Sequence, residues 1–190
     1  MDKRQMRENA RAILNQEDGV HDADIIRRAE EIMHDMQGPV FVYVSVGREI
    51  GTRELIRSLL ERGSRVCVPK VEGRGIMKAV EISSMSELTP GTWGIPEPPD
   101  RPGIDPEIIQ ACIVPCLMCS REGSRLGQGG GYYDRFLKKS GAVRIGLCRE
   151  QRIGPVPMEL HDQYLDYVVT ERNVYRRESY GSTGTGEQLP

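Results

Sequence analysis

The chain has 190 residues, a formal charge of −2, 38% hydrophobic residues and 21 glycines. That length suits one domain, over residues 1–177, followed by a polar tail, residues 178–190, too poor in apolar residues to order itself. The near-neutral balance excludes nucleic acid and membrane surfaces as expected partners, and no apolar run approaches the roughly 20 residues of a membrane span. The opening Met1-Asp2-Lys3-Arg4-Gln5-Met6-Arg7 lacks the apolar core of a signal peptide, which predicts a cytoplasmic protein.

Residues 2–15 read as a helix with Met6, Ala10, Ile13 and Leu14 on one face and Lys3, Arg4, Arg7 and Arg11 on the other. A second helix starts at a cap on Asp22 or Asp24, carries the stripe Ile25, Ala29, Ile32, Met33 and Met36, and is stopped by Gly38-Pro39. Residues 40–46, Val-Phe-Val-Tyr-Val-Ser-Val, make a buried strand. A helix over 52–62 ends at Gly63, and strands follow over 65–71 and 77–82. Residues 89–106, rich in proline and glycine around Trp93, form a loop of the length that is often functional. After it come a strand over Ala111–Pro115, a helix over 132–139, and strands over Val143–Leu147 and 167–170. Strand and helix alternate, which predicts an α/β fold with a mostly parallel sheet and helices on both faces.

The most informative stretch is Gly123-Ser-Arg-Leu-Gly-Gln-Gly-Gly-Gly-Tyr-Tyr-Asp134. Four glycines in the five positions 127–131 leave a backbone free to turn sharply and bring its N–H groups against a ligand. A strand precedes the loop and a helix follows it, the arrangement that binds phosphate. Arg125 adds a fixed cation and Asp134 a carboxylate for a metal. The loop is no Walker A, since no Gly-Lys-Ser/Thr closes it, and it stands too late in the chain for a dinucleotide fingerprint.

Five cysteines, mostly in strand-like segments, suit reduced, buried thiols rather than a disulfide framework. Cys112-x3-Cys116-x2-Cys119 has the spacing of an iron–sulfur triad of radical S-adenosylmethionine enzymes. Those enzymes place the triad early with a long barrel behind it; here 71 residues follow Cys119, and Cys112 lies in an apolar run as a small hydrophobe. A thioredoxin-like Cys116-x2-Cys119 motif is disfavoured too, because no helix start follows it.

Taken together, these residues resemble the 5-formyltetrahydrofolate cyclo-ligase family. The strongest element is Arg125-Leu-Gly-x-Gly-x-Gly-Tyr-Tyr-Asp134. Lys3-x3-Arg7, Tyr43-Val-Ser45 with Glu49-x2-Thr52, Trp93-Gly-Ile-Pro-Glu-Pro98, and Glu150-Gln151 followed by Pro157 and His161-Asp162 support it in the right order. The resemblance implies a three-layer α/β fold of the sugar-phosphate isomerase and CoA-transferase type, acting as a monomer on two small molecules, ATP and a reduced folate, with Mg²⁺. It implies that Lys3 and Arg7 reach the nucleotide phosphates. Arg125, Leu126, Gly127, Gln128, Gly129, Gly130, Gly131, Tyr132 and Tyr133 would cradle the triphosphate, with Gln128 to Tyr132 also facing the folate. Val44 and Glu49 would hold the pterin, Asp134 and Asp162 the metal, and Arg125 and Tyr132 would act in catalysis. His161 reads as a structural histidine before a general base.

The chain departs from the family's usual pattern at Cys116, where glycine is common, at Cys119-Ser120 in place of Phe-Asp, and at Ser64 in place of a basic residue. These changes touch the approach to the glycine loop and leave folate specificity open. Two alternatives stand beside the cyclo-ligase: a paralogue that keeps the ATP cradle but acts on another formyl or carboxyl substrate, and a non-catalytic nucleotide-binding protein.

Overall fold

The computed structural model describes residues 2–178, so the tail from residue 179 onward lies outside the described residues. Seven strands form the central sheet: β1 Val40–Val42, β2 Val66–Gly73, β3 Ile76–Ile82, β4 Ala111–Pro115, β5 Val143–Leu147, β6 Tyr167–Val169 and β7 Val174–Arg176. Their order is β7-β6-β5-β4-β1-β2-β3. The inner pairings β1 with β2, β1 with β4, β4 with β5 and β5 with β6 are parallel. Antiparallel hairpins, β2 with β3 and β6 with β7, finish the two edges. The mostly parallel, helix-flanked sheet expected from the alternation of elements is the observed one.

Strand alternation sorts the core into two layers. Val40, Val42, Val66, Val68, Ala111, Ile113, Ile145 and Leu147 face helices α2 (Asp22–Met33) and α3 (Arg53–Glu61), which supply Ile25, Ala29, Met33, Leu55, Ile56 and Leu59. Phe41, Cys67, Cys112 and Val114 point the other way, onto Phe136 and Leu137 of α4 (Tyr132–Leu137) and onto Leu165. Gly146 belongs to that second face, where a Cβ would stand 2.3 Å from Leu165 Cδ1. Helix α1 (Lys3–Leu14) packs apart from both layers, Met6 lying against Leu126 and Val156. Among the described residues no helix is long and apolar enough to cross a membrane.

Several elements differ from the sequence expectation, for identifiable reasons. The strand expected over 40–46 pairs only through Val42. Beyond it the backbone turns to Thr52: the Ser45 amide donates to Thr52 Oγ1 (3.1 Å), the Thr52 amide donates to Ser45 Oγ (3.1 Å), and Thr52 Oγ1 donates to Tyr43 O (2.6 Å). Residues 43–45 stay buried but leave the ladder. Neither Asp22 nor Asp24 caps α2; His21 occupies that position without a side-chain bond, and Asp22 instead holds Arg149 through two hydrogen bonds of 2.8 Å. Helix α2 stops at Met33, well before Gly38-Pro39. Ile13, expected on the buried face of α1, is exposed. The C-terminus of α3 closes as expected, with the Gly63 amide bonded to Leu60 O and the Ser64 amide to Leu59 O, both at 3.0 Å, and Gly63 at φ +76°.

Candidate active site

From β1 the chain runs outward to β2 and β3, then returns to lay β4, β5 and β6 on the other side. The carboxyl ends of β1 and β4 therefore flank a topological switch point, where open α/β sheets leave a crevice for ligands. A pocket of about 470 Å³ lies there. Tyr43, Val44, Glu49 and Ile50 follow β1; Cys116, Leu117 and Arg125 follow β4; all line the pocket.

Residues 127–131 form one wall. Gly129 has φ +100° and Gly131 φ +68°, backbone that a Cβ would strain. The outer face of α1 clamps this loop: Arg7 Nε donates to Gly127 O at 2.9 Å, and Arg11 Nη2 donates to Gln128 Oε1 at 2.8 Å. On the other side Arg135 donates to Gly75 O at 2.6 Å and to Gly130 O. Three basic residues of the α1 face thus serve the site region, Lys3 and Arg7 in the pocket lining and Arg11 on Gln128, while Arg4 is exposed and pairs with Glu8.

Arg125 is buried, with its Nη2 on Asp134 Oδ1 (2.9 Å), Nη1 on Pro115 O (3.4 Å), and no hydrogen-bond partner for Nε. Burial works against its charge, but the Asp134 carboxylate, with smaller contributions from neighbouring cysteines, holds its pKa above the ordinary value. Its guanidinium stands 5.8 Å from the Tyr133 ring centroid. Burial pushes the Tyr133 and Tyr43 hydroxyls well above their ordinary range, and Tyr43 donates to Ile50 O at 2.8 Å. Glu49 is half-buried; its Oε2 accepts from the Val46 amide at 3.0 Å, yet desolvation dominates and raises its pKa. The Tyr132 ring lies over the loop, 2.7 Å from where a Cβ on Gly130 would stand.

At the rim, Lys3 is paired with Asp162, whose Oδ2 also accepts from the Glu159 amide at 2.8 Å. Asp134 is joined to this rim by the Gln163 amide, which donates to Asp134 Oδ1 at 3.1 Å. Ligand atoms of Glu159, His161 and Asp162 lie within 4.8 Å of one another. Asp134 stands outside that group, and the cysteines form no such group among the described residues. Every residue singled out from the sequence, from Lys3 and Arg7 through Val44, Glu49 and residues 125–134 to Asp162, lines this pocket.

The family model of the 5-formyltetrahydrofolate cyclo-ligase family matches residues 2–171. The chain belongs to this family. A probable 5-formyltetrahydrofolate cyclo-ligase of Schizosaccharomyces pombe is 33% identical over 147 residues, covering 68% of this chain and 72% of the relative. The 5-formyltetrahydrofolate cyclo-ligase of Mycolicibacterium smegmatis is 34% identical over 146 residues, covering 70% and 73%. The solution structure of Aquifex aeolicus 5,10-methenyltetrahydrofolate synthetase superposes with a TM-score of 0.84 at 26% identity over 98% of each chain. A Mycoplasma pneumoniae 5,10-methenyltetrahydrofolate synthetase shares the fold, with a TM-score of 0.72 at 18% identity over 89% of this chain and 98% of that one.

Sequence reasoning missed part of this cyclo-ligase pocket. Pro69, Val71 and Met77 make an apolar wall, built where β2 runs on beyond the end of β1 and pairs with β3 alone. Glu97 is buried against it, its Oε2 3.0 Å from Lys70 and its Oε1 without a partner. Its only signal was membership of the Trp93–Pro98 string. Arg152, 2% exposed, closes the back of the pocket, donating to Glu17 Oε1 (2.9 Å), Cys116 O (2.9 Å) and Leu117 O (2.7 Å).

Proposed function

We propose that this chain converts 5-formyltetrahydrofolate to 5,10-methenyltetrahydrofolate with ATP and Mg²⁺, releasing ADP and phosphate, as a cytoplasmic monomer. The observation that carries the reading is the convergence of the glycine loop, the basic face of α1 and the half-buried Glu49 on one pocket at the switch point. In the proposed complex the loop amides, Lys3 and Arg7 bind the triphosphate, and Arg125 neutralises charge on the transferring phosphoryl group. Glu49 accepts hydrogen bonds from the pterin, beside Val44. The apolar wall of Pro69, Val71 and Met77 suits the flat faces of a folate.

The chemistry explains why a nucleotide is needed. A formamide oxygen is a poor leaving group. Moving the γ-phosphoryl group onto it makes the formyl carbon electrophilic; N10 of the folate then attacks that carbon and phosphate departs. The protein's task is to align the two transfers and neutralise charge, with Tyr132 covering the loop. Asp134 and Asp162 are hard oxygen donors at the phosphate end, and with the neighbouring Glu159 they suit Mg²⁺. When bound, Mg²⁺ would offset the charge of the phosphate oxygens. His161, with its side chain 73% exposed, is placed for a supporting role.

The test is an absorbance assay for methenyltetrahydrofolate with 5-formyltetrahydrofolate, ATP and Mg²⁺. Product that requires all three supports the reading. ATP binding with no methenyl product would overturn it in favour of a different substrate.

A further inference from the structure

Helix α4 begins where the glycine loop ends, and its Phe136 and Leu137 are buried in the second core layer, which fixes the helix on the sheet. Helical side chains lean toward the N-terminus of their own helix. Arg135 reaches back in this way, and its Nη2 donates to Gly130 O. A cation gains nothing from the positive end of a helix, so carbonyls hold it there. The second carbonyl comes from 60 residues earlier in the chain: Arg135 Nε donates to Gly75 O at 2.6 Å. Gly75 lies in the turn of the β2–β3 hairpin and is buried, although its neighbours Arg74 and Ile76 are exposed. Its φ is +76°, and a Cβ there would stand 2.0 Å from Arg135 Nη2. On the loop side Gly131 has φ +68°, and a Cβ there would stand 2.8 Å from Arg135 Nη1. The guanidinium is seated flush against two left-handed glycines, where any side chain would lift it away.

Both partners of Arg135 belong to the pocket. Val71 and Met77, paired directly across the hairpin beside its turn, line the cavity, as do Gly130 and Gly131. Arg135 does not line it. We propose that Arg135 is a positioning residue that ties the β2–β3 hairpin to the glycine loop, so that the apolar folate wall and the phosphate cradle stand in one fixed register. The identity of the two ligands rests on the proposed function; the clamp does not.

Each wall needs such a tie. β2 pairs with β1 only at Val66 and Cys67, so the outer half of the hairpin is a ribbon of two strands, which alone is marginally stable and free to twist. The glycine loop has little side-chain cover of its own. A planar guanidinium presents N–H groups on separate nitrogens and can bridge two carbonyls, whereas an ammonium is a point charge on a flexible stem. In the proposed reaction the γ-phosphoryl group passes from a ligand on one wall to a ligand on the other. Each ligand binds against its own wall, but the transfer depends on the register between them. A misplacement of about 1 Å lowers such a rate on the order of a hundredfold.

The experiment uses the full chain with Arg135→Ala and Arg135→Lys. Alanine is a strong helix former and leaves Phe136 and Leu137 in place, so the fold should survive. In the unliganded protein, nitrogen-15 relaxation of Arg135→Ala should show the amides of residues 74–76 and 129–131 losing order together, with order parameters falling from about 0.85 toward about 0.6. In the cyclo-ligase assay kcat should fall on the order of a hundredfold, with the KM values for ATP and folate little changed. Arg135→Lys should be as slow as Arg135→Ala, because charge without the fork does not bridge the carbonyls. Unchanged order in Arg135→Ala, or loosening of one segment alone, would overturn the clamp. Loosening of both with full kcat would overturn the positioning role. So would recovery in Arg135→Lys or a defect confined to the KM for ATP, since either would mean that Arg135 acts through its charge on the phosphates. A parent that forms no methenyl product counts against the proposed function alone, and the relaxation data then decide the clamp.

Discussion

Lys3 is ion-paired with Asp162 across 159 residues of sequence, joining the first turn of α1 to the far rim of the pocket. Burial pushes the Asp162 carboxyl up, but the hydrogen bonds from Lys3 and the Glu159 amide outweigh it and hold the carboxyl below its ordinary value. In the proposed complex both partners change hands: Lys3 turns to a phosphate oxygen and Asp162 to the cation.

Lys3→Met should therefore raise the KM for ATP, by roughly tenfold or more for loss of one charge-assisted contact. Its effect on the free protein has a definite sign. A depressed folded pKa stabilises the fold above the unfolded aspartate value of about 3.9 and loses that contribution as pH falls through the folded pKa. Urea unfolding should show the variant less stable than the parent at pH 7, with the difference shrinking as pH falls through the folded Asp162 pKa. A difference that persists undiminished in acid would mean that Lys3 acts through packing.

Gly129→Val should abolish ATP binding while the fold survives. Gly129 has φ +100°, and its added Cβ would stand 3.3 Å from the Arg7 guanidinium, so the variant strains the turn and obstructs the clamp together. The loop is exposed from Gln128 to Gly130, outside either core layer, so thermal unfolding should shift little. Unchanged ATP affinity by calorimetry would remove this loop from the cradle.

Asp134→Asn and Asp162→Asn should both raise the Mg²⁺ concentration needed for activity, since amides are weaker ligands for a hard cation. They should differ in stability. Asp134 neutralises Arg125, whose side chain is 4% exposed, whereas Asp162 faces a less buried Lys3 at 13%. Asp134→Asn leaves a buried guanidinium without its anion and should cost about 1–3 kcal/mol, more than Asp162→Asn. Equal denaturation curves for the two variants would show that Arg125 is neutralised elsewhere.

The parts legible in the sequence were those with local signals. Apolar patterning placed the central strands, and the Arg125–Asp134 string marked what the structure makes one wall of the pocket. Tertiary contacts erased other signals. The apolar run 40–46 reads as one strand, but Thr52 competes for its backbone hydrogen bonds after Val42. Asp22 looks like a helix cap until Arg149 claims its carboxylate. Arg152 and Glu17 look like solvated charges, and their burial as a pair depends on residues 135 positions apart. The wall of Pro69, Val71 and Met77 depends on how far β2 outruns β1, a register no single strand encodes.

Glu49→Gln separates a folate site from other substrates most sharply, because it should change binding and stability in opposite directions. Burial raises the Glu49 pKa, so the ionised side chain costs the free protein stability above its folded pKa. That cost is absent below the unfolded glutamate value of about 4.3 and grows as pH rises through the interval up to the folded value. A glutamine keeps an oxygen for the Val46 amide, now 3.0 Å from Oε2, and carries no charge to desolvate. The unliganded variant should thus melt no lower than the parent at pH 7, and slightly higher if it repacks without strain. Folate binding should fall. A carboxylate offers two acceptors to the exocyclic amine and ring N–H of a pterin, whereas the amide sets an N–H against one of those donors. An unpaired buried donor costs roughly 1–3 kcal/mol, which is about tenfold to a few hundredfold in affinity. ATP affinity should stay constant, since Glu49 follows β1 while the glycine loop lies beyond β4. Two titrations and one melting curve on the same variant decide the matter. A selective folate defect in an undamaged protein is the expected result; equal folate affinity in variant and parent would take Glu49 out of the pterin contact, and reduced folate with it as the leading substrate.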